Sequence, residues 1–178
     1  MLLKFTKMHG CGNDYIYVNC FETELDDPNT EAANLSDRHF SVGGDGLIMI
    51  CPSDIADAKM RMFNADGSEA EMCGNGIRCV AKFVYDKGLT QEKNISIVSA
   101  GKVKYLDLTV DENNKVSMVK VNMGSPILMP ELVPVIVENA VEGSVQQFGE
   151  VIRDLSGIFR ILDGIPERFQ DCARRIDT

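Results

Sequence analysis

The turn Cys73-Gly74-Asn75-Gly76 runs directly into an apolar stretch, Asn75–Lys87, and this junction constrains the fold more than any other part of the chain. Ile77, Val80, Ala81, Val84 and Tyr85 recur at three- and four-residue steps, the period of a helix, and Gly88 supplies a stop. The apolar positions cover much of the circumference, so this helix needs burial on most sides. Short segments rich in β-branched and aromatic residues flank it and read as strands. They are Phe5–Met8, Tyr15–Cys20, Leu47–Cys51, Lys59–Phe63, Ile95–Ser99, Val103–Val110 and Val116–Val121. Asp111-Glu112-Asn113-Asn114 is a hairpin signal between the last two, and hairpins favour antiparallel pairing. The expectation is an α+β fold: a mostly antiparallel sheet curled around a central helix.

A second helix is expected over Thr30–His39, with Asn29 or Thr30 as its cap. Further on, Val145, Phe148, Val151, Ile152, Leu155, Phe159 and Leu162 follow helical spacing, broken at Gly149 and Gly157 and stopped before Pro166. A helical C-terminal tail follows from that pattern. The organisation expected is a domain over 1–138 and a tail over 139–178.

Bulk properties narrow the function. The 178 residues suit one domain or two small ones, and 44% apolar with 25% charged residues is ordinary for a globular protein. A formal net charge of −9 disfavours nucleic acid and anionic membranes as partners. No apolar run approaches the roughly 20 residues needed to span a bilayer, and the start is too polar for a signal peptide. A cytoplasmic location is therefore expected. The six cysteines, at 11, 20, 51, 73, 79 and 172, are then reduced thiols, and none has zinc-finger spacing. No metal is expected.

Three glycine-rich clusters stand out: His9-Gly10-Cys11-Gly12-Asn13-Asp14, Gly43-Gly44-Asp45-Gly46 and the turn at Cys73. Each alone reads equally as a tight turn. Cys73 differs because it precedes a buried helix. The first N–H groups of a helix lack partners and its macrodipole is positive there. A thiolate is stabilised at that point. A carboxylate can bind the same N–H groups. One turn could thus hold an α-carboxylate and aim a thiol at the adjacent carbon; the alternative is an inert, buried cysteine. Asn64 ends a strand and either offers its amide to a ligand or closes an Asx-turn. Asp66, Glu69 and Glu71 read as solvated loop residues, the alternative being that one of them holds a substrate ammonium. His9 and His39 are the only histidines, and a Cys–His hydrolase would need one beside Cys73.

In combination these motifs are far more specific. Lys7-Met8-His9-Gly10-Cys11-Gly12-Asn13-Asp14-Tyr15, Asp37-Arg38-His39-Phe40-Ser41-Val42-Gly43-Gly44-Asp45-Gly46-Leu47 and the run from Phe63 to Cys79 closely resemble the diaminopimelate epimerase family, in its order and spacing. Val121-Asn122-Met123-Gly124-Ser125-Pro126 and Pro130-Glu131-Leu132-Val133-Pro134-Val135 are similar to the close of that family's first half, so the resemblance covers roughly residues 1–138. It implies interconversion of LL- and meso-diaminopimelate, on the route to lysine and peptidoglycan, without pyridoxal phosphate, metal or other cofactor. It implies a fold of two similar halves, each a curled sheet around a helix, with one acid–base cysteine per half. Cys73 matches the first of these. Gly74 and Asn75 match the carboxylate contacts, and Asn13 and Asn64 match positions that hold substrate through amides. Cys79 matches no catalytic position and is expected to pack in the core.

The family's second half, with its second catalytic cysteine, has no counterpart in the sequence after about residue 138. Cys172 lacks flanking glycines and takes no such role. The chain therefore looks truncated, with uncertain activity alone. Two alternatives accompany the epimerase reading: a non-catalytic half-domain that binds a partner or forms a homodimer over an exposed apolar face, and a racemase for another amino acid such as proline.

Overall fold

The computed structural model describes residues 3–124. In chain order they form β1 (Thr6–Gly10), β2 (Asn13–Asn19), α1 (Pro28–Ser36), β3 (Gly46–Cys51), β4 (Ala58–Asn64), β5 (Glu69–Ala70), α2 (Gly74–Asp86), β6 (Asn94–Ser99), β7 (Lys102–Val110) and β8 (Val116–Val121). The strands build one mixed sheet in the order β1-β2-β3-β4-β6-β7-β8, with the two-residue β5 paired to β4. Both α1 and α2 lie in the long connections that join parallel neighbours, β2 to β3 and β4 to β6. That is what a parallel pair requires, because the chain must cross over before it can pair again. The remaining pairs are antiparallel. The tail helix and the boundary at 138 expected from the sequence lie outside the described residues.

The sheet is curled into a half-barrel. Its two edge strands, β1 and β8, both lie against α2, as do β2, β4, β6 and β7. The middle strands are covered on both faces. Tyr15, Tyr17, Ile48 and Ile50 belong to the cluster around α2, while Ile16, Val18, Leu47 and Met49 belong to a second cluster beneath α1. Two-sided burial explains why β2 and β3 read as continuous apolar runs rather than alternating ones.

Local chemistry sets the helix ends. Asp27, not Asn29 or Thr30, caps α1: its Oδ1 accepts from the Thr30 N–H at 3.1 Å, and Pro28 occupies the first turn. The helix ends at Ser36 rather than His39 because Asp37 Oδ1 takes the N–H groups of His39 and Phe40, at 2.7 and 3.0 Å. These local bonds compete with the helical ladder and win. Along α2, nine of thirteen residues are buried, one of them charged: Lys82. Its ammonium donates to the Val116 carbonyl at 2.7 Å and pairs with Asp86 at 2.9 Å. Asp86 Oδ1 in turn accepts from the Val116 N–H at 2.9 Å, which fastens α2 to β8.

Gly46 sets how closely the strands beside the site approach. A Cβ at Gly46 would lie 2.0 Å from the Phe63 carbonyl oxygen and 2.9 Å from the Tyr15 ring. Gly46 is paired with Tyr15 on one side and Asn64 on the other. Gly46→Ala is expected to cost stability at the upper end of the roughly 1–3 kcal/mol typical of overpacking. Urea denaturation against the parent chain measures it.

Candidate active site

Cys73 is the N-cap of α2, in an extended conformation with φ −131° and ψ 111°. Its Sγ accepts from the Gly76 N–H at 3.2 Å, so the sulfur takes the place of the usual capping oxygen. The approach is close: a Cβ at Gly76 would lie 3.4 Å from that sulfur and 2.6 Å from Ile48 Cδ1. Cys73 is 9% exposed, at the surface edge of the core around α2. Among the described residues, the N–H groups of Gly74 and Asn75 have no protein acceptor. These donors, at the positive end of the helix, are of the kind that bind an anion, and they lie beside the thiol.

β2 brings two further groups to the sulfur. Asn13 Nδ2 donates to Cys73 Sγ at 3.5 Å. Tyr15, in the same core cluster as Cys73, lies near this sulfur. Burial first, then the nearby sulfur, push its pKa up to about 12, so it stays protonated at neutral pH. Asn64 closes the turn after β4: its Nδ2 donates to Ser68 Oγ at 2.9 Å, and no bond joins it to Cys73 among the described residues. It shares a sheet row with Tyr15 through Gly46. Asn75 Oδ1 accepts from Arg78 Nη2 at 2.5 Å, and Arg78 Nη1 donates to the Gly74 carbonyl at 3.0 Å.

The other glycine clusters position these groups. At Gly10 a Cβ would come within 3.0 Å of the Asn75 carbonyl, so β1 ends hard against the start of α2. Asp14, next to Asn13, gathers Lys7 at 2.8 Å and Arg38 at 2.5 and 3.2 Å, and Lys7 also donates to the Gly43 carbonyl. Asp45 completes the knot by accepting from Arg38 at 3.0 Å and from the Asp14 N–H at 2.9 Å. Burial alone would raise Asp14, but hydrogen bonds and charge from Arg38 and Lys7 hold its carboxyl well below the usual range. Stability from such a group is complete above the unfolded-state value, about 3.9 for aspartate. It is lost as pH falls through the lower folded-state value. Since the partners are partly exposed, Asp14→Asn is expected to cost only about 1–2 kcal/mol at pH 7. The difference from the parent should shrink below pH 4; thermal melts across the acid range check it.

Several residues are not used here. Neither histidine is among the partners of Cys73: His39 is exposed against Phe40, and His9 is half-buried in β1. Cys79 is fully buried, and burial pushes its thiol up. Asp66 bonds Ser68, and Glu69 pairs with Arg61 at 2.8 Å. Among the described residues no group of three or more His, Cys, Asp or Glu is placed to hold a metal ion. No described helix is long and apolar enough to cross a membrane.

The profile of the diaminopimelate epimerase family matches residues 5–129. The chain belongs to the diaminopimelate epimerase family. It is 63% identical over 134 residues to the diaminopimelate epimerase of Agathobacter rectalis, covering 75% of this chain and 47% of that protein. It is 60% identical over 136 residues to the Methanococcus maripaludis enzyme, covering 76% and 49%. The chain thus spans about half the length of these relatives. The fold is also that of more distant proteins. A methylitaconate-delta-isomerase superposes with a TM-score of 0.56 at 17% identity, over 66% of this chain and 36% of its own. A phenazine biosynthesis protein of the PhzF family from Bacillus anthracis gives 0.53 at 20% identity, over 68% and 40%.

Two groups beside the diaminopimelate epimerase motif escaped the sequence reading. Arg78 was in principle visible: it lies three and four residues after Asn75 and Gly74, so all three fall on one helix face. Tyr15 carried no such signal, because its place near Cys73 depends on how β2 packs against α2.

Proposed function

We propose that residues 1–138 form the first half of a diaminopimelate epimerase, a curled sheet around α2, and that Cys73 is one of two acid–base thiols. The observation that carries this is the sulfur at the mouth of α2 beside the N–H groups of Gly74 and Asn75, which have no protein acceptor among the described residues. In this reading those two N–H groups hold the substrate α-carboxylate. The α-carbon then faces Cys73 Sγ, which takes the proton as a thiolate. Negative charge developing on the carboxylate in the transition state is met by fixed donors, the usual source of most of the rate gain. Asn13 orients the sulfur and contacts the substrate. Asn64 uses its Nδ2 on Ser68, leaving Oδ1 to accept from the substrate ammonium. Arg78 fixes the Asn75 side chain. No cofactor takes part.

Inversion needs a second group on the opposite face to return a proton. That group is assigned to the part of the relatives that the match does not span. The substrate is a small amino acid, diaminopimelate, and the protein is cytoplasmic. Isothermal titration calorimetry with meso-diaminopimelate and with proline tests the assignment. Measurable binding of diaminopimelate and none of proline is expected; binding of proline alone, or of neither, overturns it.

A further inference from the structure

The Cys20–Cys51 pair lies apart from this site. Ile16, Val18 and Asn19 of β2 pair in parallel with Leu47, Met49 and Ile50 of β3. The Cys20 N–H extends that ladder by one step, donating to the Ile50 carbonyl at 2.8 Å, and so sets Cys20 opposite Cys51. Both side chains pack on the cluster under α1, hence on the same face, while Cys73 belongs to the cluster around α2. Neighbouring strands are about 4.8 Å apart. That falls inside the Cα separation of roughly 4.4–6.8 Å that a disulfide needs. Both residues stand at strand ends, where the backbone has room to adjust, and both thiols are free and half-buried.

Their surroundings differ. On its other side Cys51 faces Lys59 of β4, with Arg61 one step along the same face. The neighbouring Cys20 thiol, then the charges of Arg61 and Lys59, outweigh burial and bring Cys51 down to about 7. Cys20, whose S–H donates to the Val18 carbonyl at 3.8 Å, is pushed up by the adjacent Cys51 and by burial. One sulfur is thus poised as nucleophile and the other as a thiol that can resolve.

We propose that Cys20 and Cys51 are a dithiol that peroxides oxidise to a reversible disulfide. The Cys51 thiolate attacks a peroxide oxygen, the O–O bond breaks, and hydroxide or alkoxide leaves, giving Cys51 sulfenic acid. The Cys20 sulfur then attacks Cys51 Sγ, its proton going to the departing oxygen, and water leaves as the S–S bond forms. The two electrons lost by the thiols are those gained by the peroxide. A small dithiol reverses the step by exchange.

Peptide mapping of the full chain under non-reducing conditions, after equimolar hydrogen peroxide near neutral pH, tests this. A Cys20–Cys51 linked peptide that dithiothreitol abolishes is expected. In Cys20→Ser the sulfenic acid should persist on Cys51 and be trapped by dimedone. Both cysteines still open to alkylation after peroxide, or linkage or dimedone labelling falling instead on Cys11 or Cys73, overturns the proposal.

Discussion

Deuterium wash-in at the α-carbon of diaminopimelate, measured in heavy water by NMR or mass spectrometry, is expected to vanish in Cys73→Ala. Removing a positioned acid–base group typically costs about 10²–10⁴-fold in rate. The substitution also removes the cap of α2, and losing a capping side chain costs about 1 kcal/mol. Cys73→Ser separates the two effects. Its hydroxyl still caps the Gly76 N–H, so melting should stay near that of the parent, but it is far too weak a base to take the proton. Both variants should lose wash-in; only the alanine variant should lose stability. Wash-in within tenfold of the parent in the serine variant rules out proton transfer by this sulfur. A parent chain that neither exchanges nor binds diaminopimelate removes the catalytic reading of the chain altogether.

The largest effect on stability is expected at Asp86. The Lys82 side chain is only 8% exposed and Asp86 only 14%, and their 2.9 Å pair is shared with the N–H and carbonyl of Val116. Asp86→Leu leaves an ammonium and a backbone N–H buried without their carboxylate. Breaking a buried pair in this way costs about 3–5 kcal/mol. That is a large part of the roughly 5–15 kcal/mol that holds a domain together. The double variant Lys82→Met with Asp86→Leu should recover most of the loss, because an apolar pair avoids the desolvation penalty that an orphaned charge cannot. Urea denaturation of the parent, the single variant and the double variant measures this. A single-variant loss under about 1 kcal/mol would mean that water reaches the ammonium.

Periodicity made the strands and α2 legible. The expected Val116–Val121 matches β8, and the expected Asn75–Lys87 differs from α2 by one residue at each end. These segments carry their own signal, alternation or helical spacing, in adjacent residues. The misses have local and long-range causes. Asp37 ends α1 early through bonds to His39 and Phe40 that spacing alone does not show. The two-residue β5 is too short to carry a pattern. The parallel pairs β2–β3 and β4–β6 were hidden behind the hairpin signal at Asp111, which governs only β7 and β8.

At the candidate site the division is the same. The sequence by itself determined that a cysteine stands at the start of a buried helix, because cap, glycines and apolar steps are all contained in one short run. Family membership, too, was readable in the ordered motifs. Tertiary structure alone decided that Asn13 reaches the sulfur and that Tyr15 lies near it, with 60 residues separating Asn13 from Cys73. It alone decided that Cys20 meets Cys51, or that Lys82 finds Val116 on another strand. Those meetings follow from strand register and from the packing of the strands against α2. Register is set by burial summed over whole faces, which no single stretch of residues contains.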